Sequence, residues 1–264
     1  MIKRLLAHPL TRDLDIDDPE TTTRRREIIR DKVFLRRIYE DWYQRLVTHL
    51  PAVAGATLEL GSGGGFLNEL VPNLITSEIF LSEDVDIVLD GAALPFSTRS
   101  LRAIVMVDVL HHIPDVRQFL SEARRCLVTG GRIIMVEPWT SPWSKVIYKN
   151  LHHEPFLTDT SDWNFPITGP LSGANGALPW IVFERDRRKF EAEYPELGVR
   201  TIEPFMPFTY LVSGGVSMRT IMPAFTFPFW RAVDNNFQRW SDTWSMFAFI
   251  MVERGENKTA SAER

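Results

Sequence analysis

From Arg24 to Leu50 apolar residues recur at positions such as Ile28, Leu35, Ile38, Trp42 and Leu46. That spacing lines one face of a helix, which Pro51 ends. Beyond Pro51 the period changes to short, continuous apolar runs at 56–60, 75–80, 86–89 and 103–107. Runs of this kind read as strands buried on both faces. A glycine-rich break follows the first of them, and the pattern of Phe66 to Val71 predicts a helix after it. A further helix is predicted over Val116 to Leu127, a turn at Gly130-Gly131 and a fifth strand at Arg132 to Val136. Strands alternating with helices predict an α/β fold with a doubly wound, mostly parallel sheet. A helix over Phe183 to Tyr194, a strand at Val199 to Phe205 and a last strand at Trp244 to Glu253 finish the pattern, the final strands in hairpin-like fashion.

Three segments carry no sustained period. Residues 1–23, rich in Asp, Pro and Thr, read as an irregular arm. Residues 139–182 hold four of the tryptophans, with scattered Pro and Gly, and the stretch 139–198 reads as an inserted lid or substrate wall. The polar tail 255–264 reads as disordered. The division expected is an N-terminal arm and helix over 1–50, a main domain over 51–254, and the tail. A length of 264 residues suits one sizeable domain with additions.

The apolar share of 44% and the charged share of 24% suit a water-soluble globular chain. A net charge of −4 offers no general attraction to phosphate backbones, so no nucleic acid partner is expected. The one cysteine, Cys126, sits in a predicted helix as a small buried thiol, which fits a reducing, cytoplasmic setting. Residues 1–8 do not read as a signal peptide. The stretch Ile221 to Trp230, broken by Pro223 and Pro228, is too short for a membrane span. Oligomerisation stays open.

The chemistry concentrates at Leu58-Glu59-Leu60-Gly61-Ser62-Gly63-Gly64-Gly65. Glycines after a buried strand let backbone amides approach a ligand that side chains would block. A Walker loop is excluded, because Phe66-Leu67 stand where Gly-Lys-Ser/Thr would end it. The dinucleotide fingerprint is weakened, because Phe66 replaces its third glycine.

The pattern Glu59, Gly61, Gly63, Gly65 resembles the first motif of class I S-adenosylmethionine-dependent methyltransferases. Glu78, nineteen residues after Glu59, stands where that family has an acidic residue for the ribose hydroxyls, and two acceptor oxygens suit a vicinal diol. Asp90-Gly91-Ala92-Ala93-Leu94-Pro95-Phe96 is similar to the third motif. There the resemblance implies that Asp90 accepts from the adenine amino group and that the Gly91 amide donates to the ring. Residues 103–113, ending in Asp108-Val109-Leu110-His111-His112-Ile113, are similar to the fourth motif, and residues 130–138 to the turn and fifth strand. The match is to the small-molecule, type 11-like branch. It implies S-adenosylmethionine as cofactor and a seven-stranded Rossmann-like sheet whose last strand is antiparallel. The short interval from Glu78 to Asp90 predicts that the helix between the second and third strands is missing or reduced.

His112, beyond the fourth strand, is the candidate general base, while His111 reads as a brace for the next helix. Asp108 interrupts an apolar strand and needs hydrogen-bond partners from the cofactor or the loop. Glu137 and Trp139 are read as facing the acceptor or the surface. Tyr39, Trp42 and Tyr43 either close over the methionine end of the cofactor or pack on the sheet. Ser213-Gly214-Gly215 and the aromatic run 225–230 either wall an apolar acceptor pocket, dock on a membrane surface, pack as core or form a dimer contact. His152-His153-Glu154 offers a base or a metal ligand but reads better as a solvated helix end, since adjacent histidines do not point one way on a helix and no carboxylate cluster stands at a fixed spacing; no metal site is expected. The function expected is methyl transfer to an oxygen or nitrogen of a small or medium, partly apolar acceptor. A nicotinamide-dependent oxidoreductase and a non-catalytic partner-binding module are the alternatives.

Overall fold

A computed structural model describes residues 7–11, 14–82, 85–152, 154–167, 169 and 171–256. Its seven strands are β1 (Ala56–Glu59), β2 (Leu74–Glu78), β3 (Ile87–Val88), β4 (Leu101–Val107), β5 (Leu127–Pro138), β6 (Leu197–Phe205) and β7 (Phe247–Arg254). They form one sheet in the order β3-β2-β1-β4-β5-β7-β6. The first five strands are mutually parallel, and β7 runs antiparallel between β5 and β6. β4 and β5 are the apolar centre, with Ala103, Ile104, Met106 and Ile133 to Val136 all fully buried. Two apolar clusters cover the two faces. One is built on Phe119, Leu120 and Phe183, the other on Phe34, Ile38, Trp42 and Phe249. Among the described residues no helix is long and apolar enough to cross a membrane.

The N-terminal helix departs from its prediction in two ways. It begins earlier, at Pro19, because the Asp18 carboxylate caps the Glu20 amide. It is also broken into Pro19–Asp31 and Val33–Thr48 at Lys32, whose ψ of 85° is not helical. The break turns the Lys32 ammonium inward, where it donates to Gly215 O at 2.6 Å and Met218 O at 2.9 Å, and burial lowers its pKa to about 8.

After the glycine loop the predicted helix shrinks to a turn at Leu67–Glu69. Phe66, at φ −145°, is extended so that its ring meets Tyr43 edge-on, and Pro72 closes the other end. No helix lies between β2 and β3 among the described residues, as the short interval predicted; Asp84 falls outside them. The helix predicted over 183–194 is divided into Leu178–Trp180, a wider turn at Ile181–Arg185, and Arg187–Glu193. β6 and β7 pair, but short helices over residues 209–244 separate them, so they are no hairpin. Cys126 is fully buried at the end of helix Val116–Cys126.

Candidate functional site

The glycine loop closes tightly. Gly61 and Gly63 are left-handed at φ +66° and +52°, a conformation glycine adopts without penalty. Ser62 N donates to Ser77 O, Gly65 N donates to Ser62 O, and Ser77 Oγ donates to Glu59 O, which fixes the loop to the ends of β1 and β2. Gly64 lies against the backbone of helix Pro19–Asp31, where a Cβ would come within 2.6 Å of Arg26 N. Arg26 Nη2 donates to Gly63 O at 3.0 Å.

Beside the loop is a cavity of about 430 Å³, within the range of small-molecule pockets. Glu59, Gly61, Gly63, Gly65, Glu78, Asp90, Gly91, Asp108 and His112 all line it, so the structure gathers every site residue proposed from the sequence. Tyr39 and Tyr43 line it too, whereas Trp42 does not, and stacks behind the wall residue Tyr210 at 5.6 Å between centroids. Thr22, Arg25 and Ile29, from the expected irregular arm and its helix, line it as well. Periodicity alone could not have shown that.

Two buried carboxylates dominate its electrostatics. Glu78 receives the Gly63 amide at 2.6 Å and the Ile79 amide at 3.1 Å, yet burial still raises its pKa. Glu59 is fully enclosed, and burial raises its pKa to about 8 against the opposing Ser62 hydrogen bond. Asp90 sits at the rim, one oxygen receiving the Ala92 amide at 2.8 Å. An acidic wall with acceptor oxygens suits a ligand that carries hydroxyls and positive charge.

Asp108 marks the end of β4 with φ +63°, a strained position for a residue other than glycine, of the kind that clusters at active sites. Its carboxyl is raised to about 6 by the enclosing protein, although the side chain keeps 39% of its surface open toward the cavity. His112 lies on the same wall with Nδ1 3.3 Å from Gly173 O, and burial and the adjacent His111 lower its pKa to about 3. His111 is only 1% exposed, with Nδ1 2.8 Å from Glu137 Oε2. Glu137 faces neither acceptor nor surface. It is completely buried, and its other oxygen receives the Val109 and Leu110 amides at 2.8 and 2.7 Å. Trp139 is likewise buried.

Glu154, set aside in the sequence as part of a solvated helix end, belongs to the site. It brings a carboxylate from the segment after helix Pro142–Leu151 to within 3.5 Å of His111 Nε2 and 3.8 Å of His112 Nε2. His153 falls outside the described residues. A second, smaller cavity of about 90 Å³ adjoins the first and shares Asp108, His152, Glu154, Tyr210, Val216 and Ser217 with it. Its remaining wall is largely apolar, including Ile147, Tyr148, Phe156, Leu211 and Phe247, with Gly214 and Gly215 at one edge. The aromatic run 225–230 lines neither cavity; Phe227 is buried, while Phe225 and Phe229 are exposed.

The family model described as a methyltransferase domain matches residues 58–135. No curated protein matches the sequence. Among solved structures, one chain of the Haloferax volcanii complex containing the Trm112 methyltransferase activator is 13% identical over 92% of this chain and 99% of its own, with a TM-score of 0.52. A geranyl diphosphate methyltransferase in complex with SAM is 13% identical over 83% of this chain and 87% of its own, with a TM-score of 0.48. The geranyl diphosphate C-methyltransferase from Streptomyces coelicolor A3(2) is 14% identical over 83% and 80%, with a TM-score of 0.46. At these identities the first structure shows a shared fold, and the residues carry the rest of the argument.

Proposed function

We propose, from the premise that residues 58–135 form a class I S-adenosylmethionine-dependent methyltransferase domain, that the chain transfers a methyl group to an oxygen or nitrogen of a small or medium-sized, partly apolar acceptor. The observation that carries this reading is the pair of joined cavities. One is acidic and built on the glycine loop; the other is mostly apolar; Asp108 and Glu154 lie on their common wall.

The residues fit the cofactor. Glu59 and the glycines take its methionine end, Glu78 the ribose hydroxyls, and Asp90 with the Gly91 amide the adenine. S-adenosylmethionine supplies an electrophilic methyl group on a sulfonium. The chain's part is to hold the acceptor atom in line with that methyl group and to exclude water. Segment 139–198 serves as the lid, contributing His152, Glu154, Ile167 and Leu171 to the first cavity. His112, the base proposed from sequence, is poorly basic where it sits. Asp108, the carboxylate at the junction, is better placed to take the acceptor's proton.

Calorimetric titration with S-adenosylmethionine and S-adenosylhomocysteine tests the reading. We expect micromolar binding, weakened at least tenfold in Glu78→Ala, a loss of about 1.4 kcal/mol or more. Absence of binding to either ligand by the wild-type chain would end the proposal.

A second expectation concerns protons. Glu59 is held protonated up to about pH 8 by burial, and the cationic groups of the cofactor favour its ionised form. Binding at neutral pH therefore releases a proton, and affinity rises with pH up to about 8 before levelling off. Titrations at pH 7 in two buffers of different ionisation heat should show about one proton released by the wild type and none by Glu59→Gln. Equal proton counts in the two proteins would place the linkage elsewhere.

A further inference from the structure

His111, His112 and Glu154 each offer a metal-ligating atom, all within 4.8 Å of one another. Glu154 Oε2 lies 3.5 Å from His111 Nε2, and Glu154 Oε1 lies 3.8 Å from His112 Nε2. Ordinary N–H···O hydrogen bonds span roughly 2.7–3.2 Å, so these contacts are long for that purpose. They are close to the separation between neighbouring ligands of a tetrahedral ion with bonds of about 2.0–2.2 Å, which is roughly 3.3–3.6 Å.

The far side of each ring supports the same reading. His111 Nδ1 is 2.8 Å from the buried Glu137 carboxylate, and His112 Nδ1 is 3.3 Å from the Gly173 carbonyl oxygen. A carbonyl oxygen only accepts, so the proton of neutral His112 belongs on Nδ1 and its Nε2 presents a lone pair. The same tautomer at His111 makes the carboxylate–histidine arrangement that orients metal-bound imidazoles. Glu137 is in turn fixed by the Val109 and Leu110 amides. Asp108 Oδ1, 4.0 Å from His111 Nε2, adds a second carboxylate at the edge of the cluster. Three carboxylates thus surround His111, an excess of negative charge that a divalent cation would balance.

We propose that His111, His112 and Glu154 bind a divalent transition-metal ion of the zinc class, with one coordination position turned toward the wall shared by the two cavities. Two imidazole nitrogens and one carboxylate suit such an ion better than magnesium or calcium, which prefer oxygen ligands. An acceptor bearing a hydroxyl would occupy the remaining position. That substrate role rests on the methyl-transfer reading, whereas the metal site itself does not.

The test is titration of chelator-treated, cofactor-free protein with Zn2+ and with Co2+, followed by calorimetry and by the visible absorption of bound Co2+. We expect one equivalent at micromolar affinity or tighter, with the intense bands of four-coordinate cobalt. His112→Ala and the conservative Glu154→Gln should each weaken binding at least tenfold while keeping the wild-type circular dichroism. His49→Ala, at the C-terminal end of helix Val33–Thr48 and outside both cavities, serves as the control. Failure of the wild type to take up one equivalent, or equal uptake by Glu154→Gln, would overturn the proposal and leave a protonated His111 clasped by carboxylates. Neither result depends on cofactor binding, which the separate S-adenosylmethionine titration reads.

Discussion

Gly64→Ala is expected to weaken S-adenosylmethionine binding about a hundredfold, or roughly 2.7 kcal/mol, whereas Gly63→Ala should cost less. The added Cβ of residue 64 would stand 2.6 Å from Arg26 N, 2.9 Å from Arg26 Cα and 3.0 Å from Arg25 C. These are backbone atoms of a helix, so no side chain can swing aside. Either the loop or helix Pro19–Asp31 must move, and the two are abutting walls of the cofactor cavity. Overpacking of this kind costs about 1–3 kcal/mol. At Gly63 the nearest atom to an added Cβ is Glu78 Oε1 at 3.5 Å, an ordinary contact, and the remaining penalty is the left-handed φ, about 1–2 kcal/mol. Calorimetry on the two variants, with thermal melts to follow the fold, gives the comparison. Equal losses would mean that the helix does not abut the loop as described.

Trp163→Ala should destabilise the fold by about 3–5 kcal/mol and lower the melting temperature by roughly 10 °C. Trp163 is fully buried, its indole N–H donates to Asp186 Oδ2 at 2.8 Å, and the Arg117 guanidinium lies 4.6 Å over its ring. Its carbonyl receives the Val116 amide at the start of helix Val116–Cys126. The residue therefore fastens the inserted segment to the main domain. Trp163→Phe should recover most of the packing and lose mainly the hydrogen bond to the Asp186 carboxylate, about 1.5–3 kcal/mol. A chemical denaturation series on both variants measures the difference, and near-equal stability of the two would show that volume at this point matters little.

Strands β4 and β5 were legible because a parallel strand covered on both faces must be continuously apolar, and Ile104, Met106, Ile134 and their neighbours are. The glycine loop, Glu78 at the end of β2 and Asp90 after β3 were legible because backbone approach to a ligand restricts residue choice. Glu137 and Glu154 were not. Their roles arise from partners at residues 109–112, which β-strand pairing and the inserted segment bring close and no local period encodes. The break at Lys32 was hidden for the same reason. The apolar spacing of residues 24–50 is continuous, and the carbonyls that draw its side chain inward lie more than 180 residues further on.

That distant tether bears on the order in which the molecule is assembled. A nascent chain emerging amino end first presents the glycine loop and β1 to β5 while residues 210–217, which complete both cavities, are still unmade. β7, the strand wedged between β5 and β6, comes later still. A half-synthesised chain therefore holds the recognisable motif without a closed pocket. Ligand capture belongs to the finished protein, and saturating cofactor would protect the whole molecule from unfolding rather than any early fragment of it.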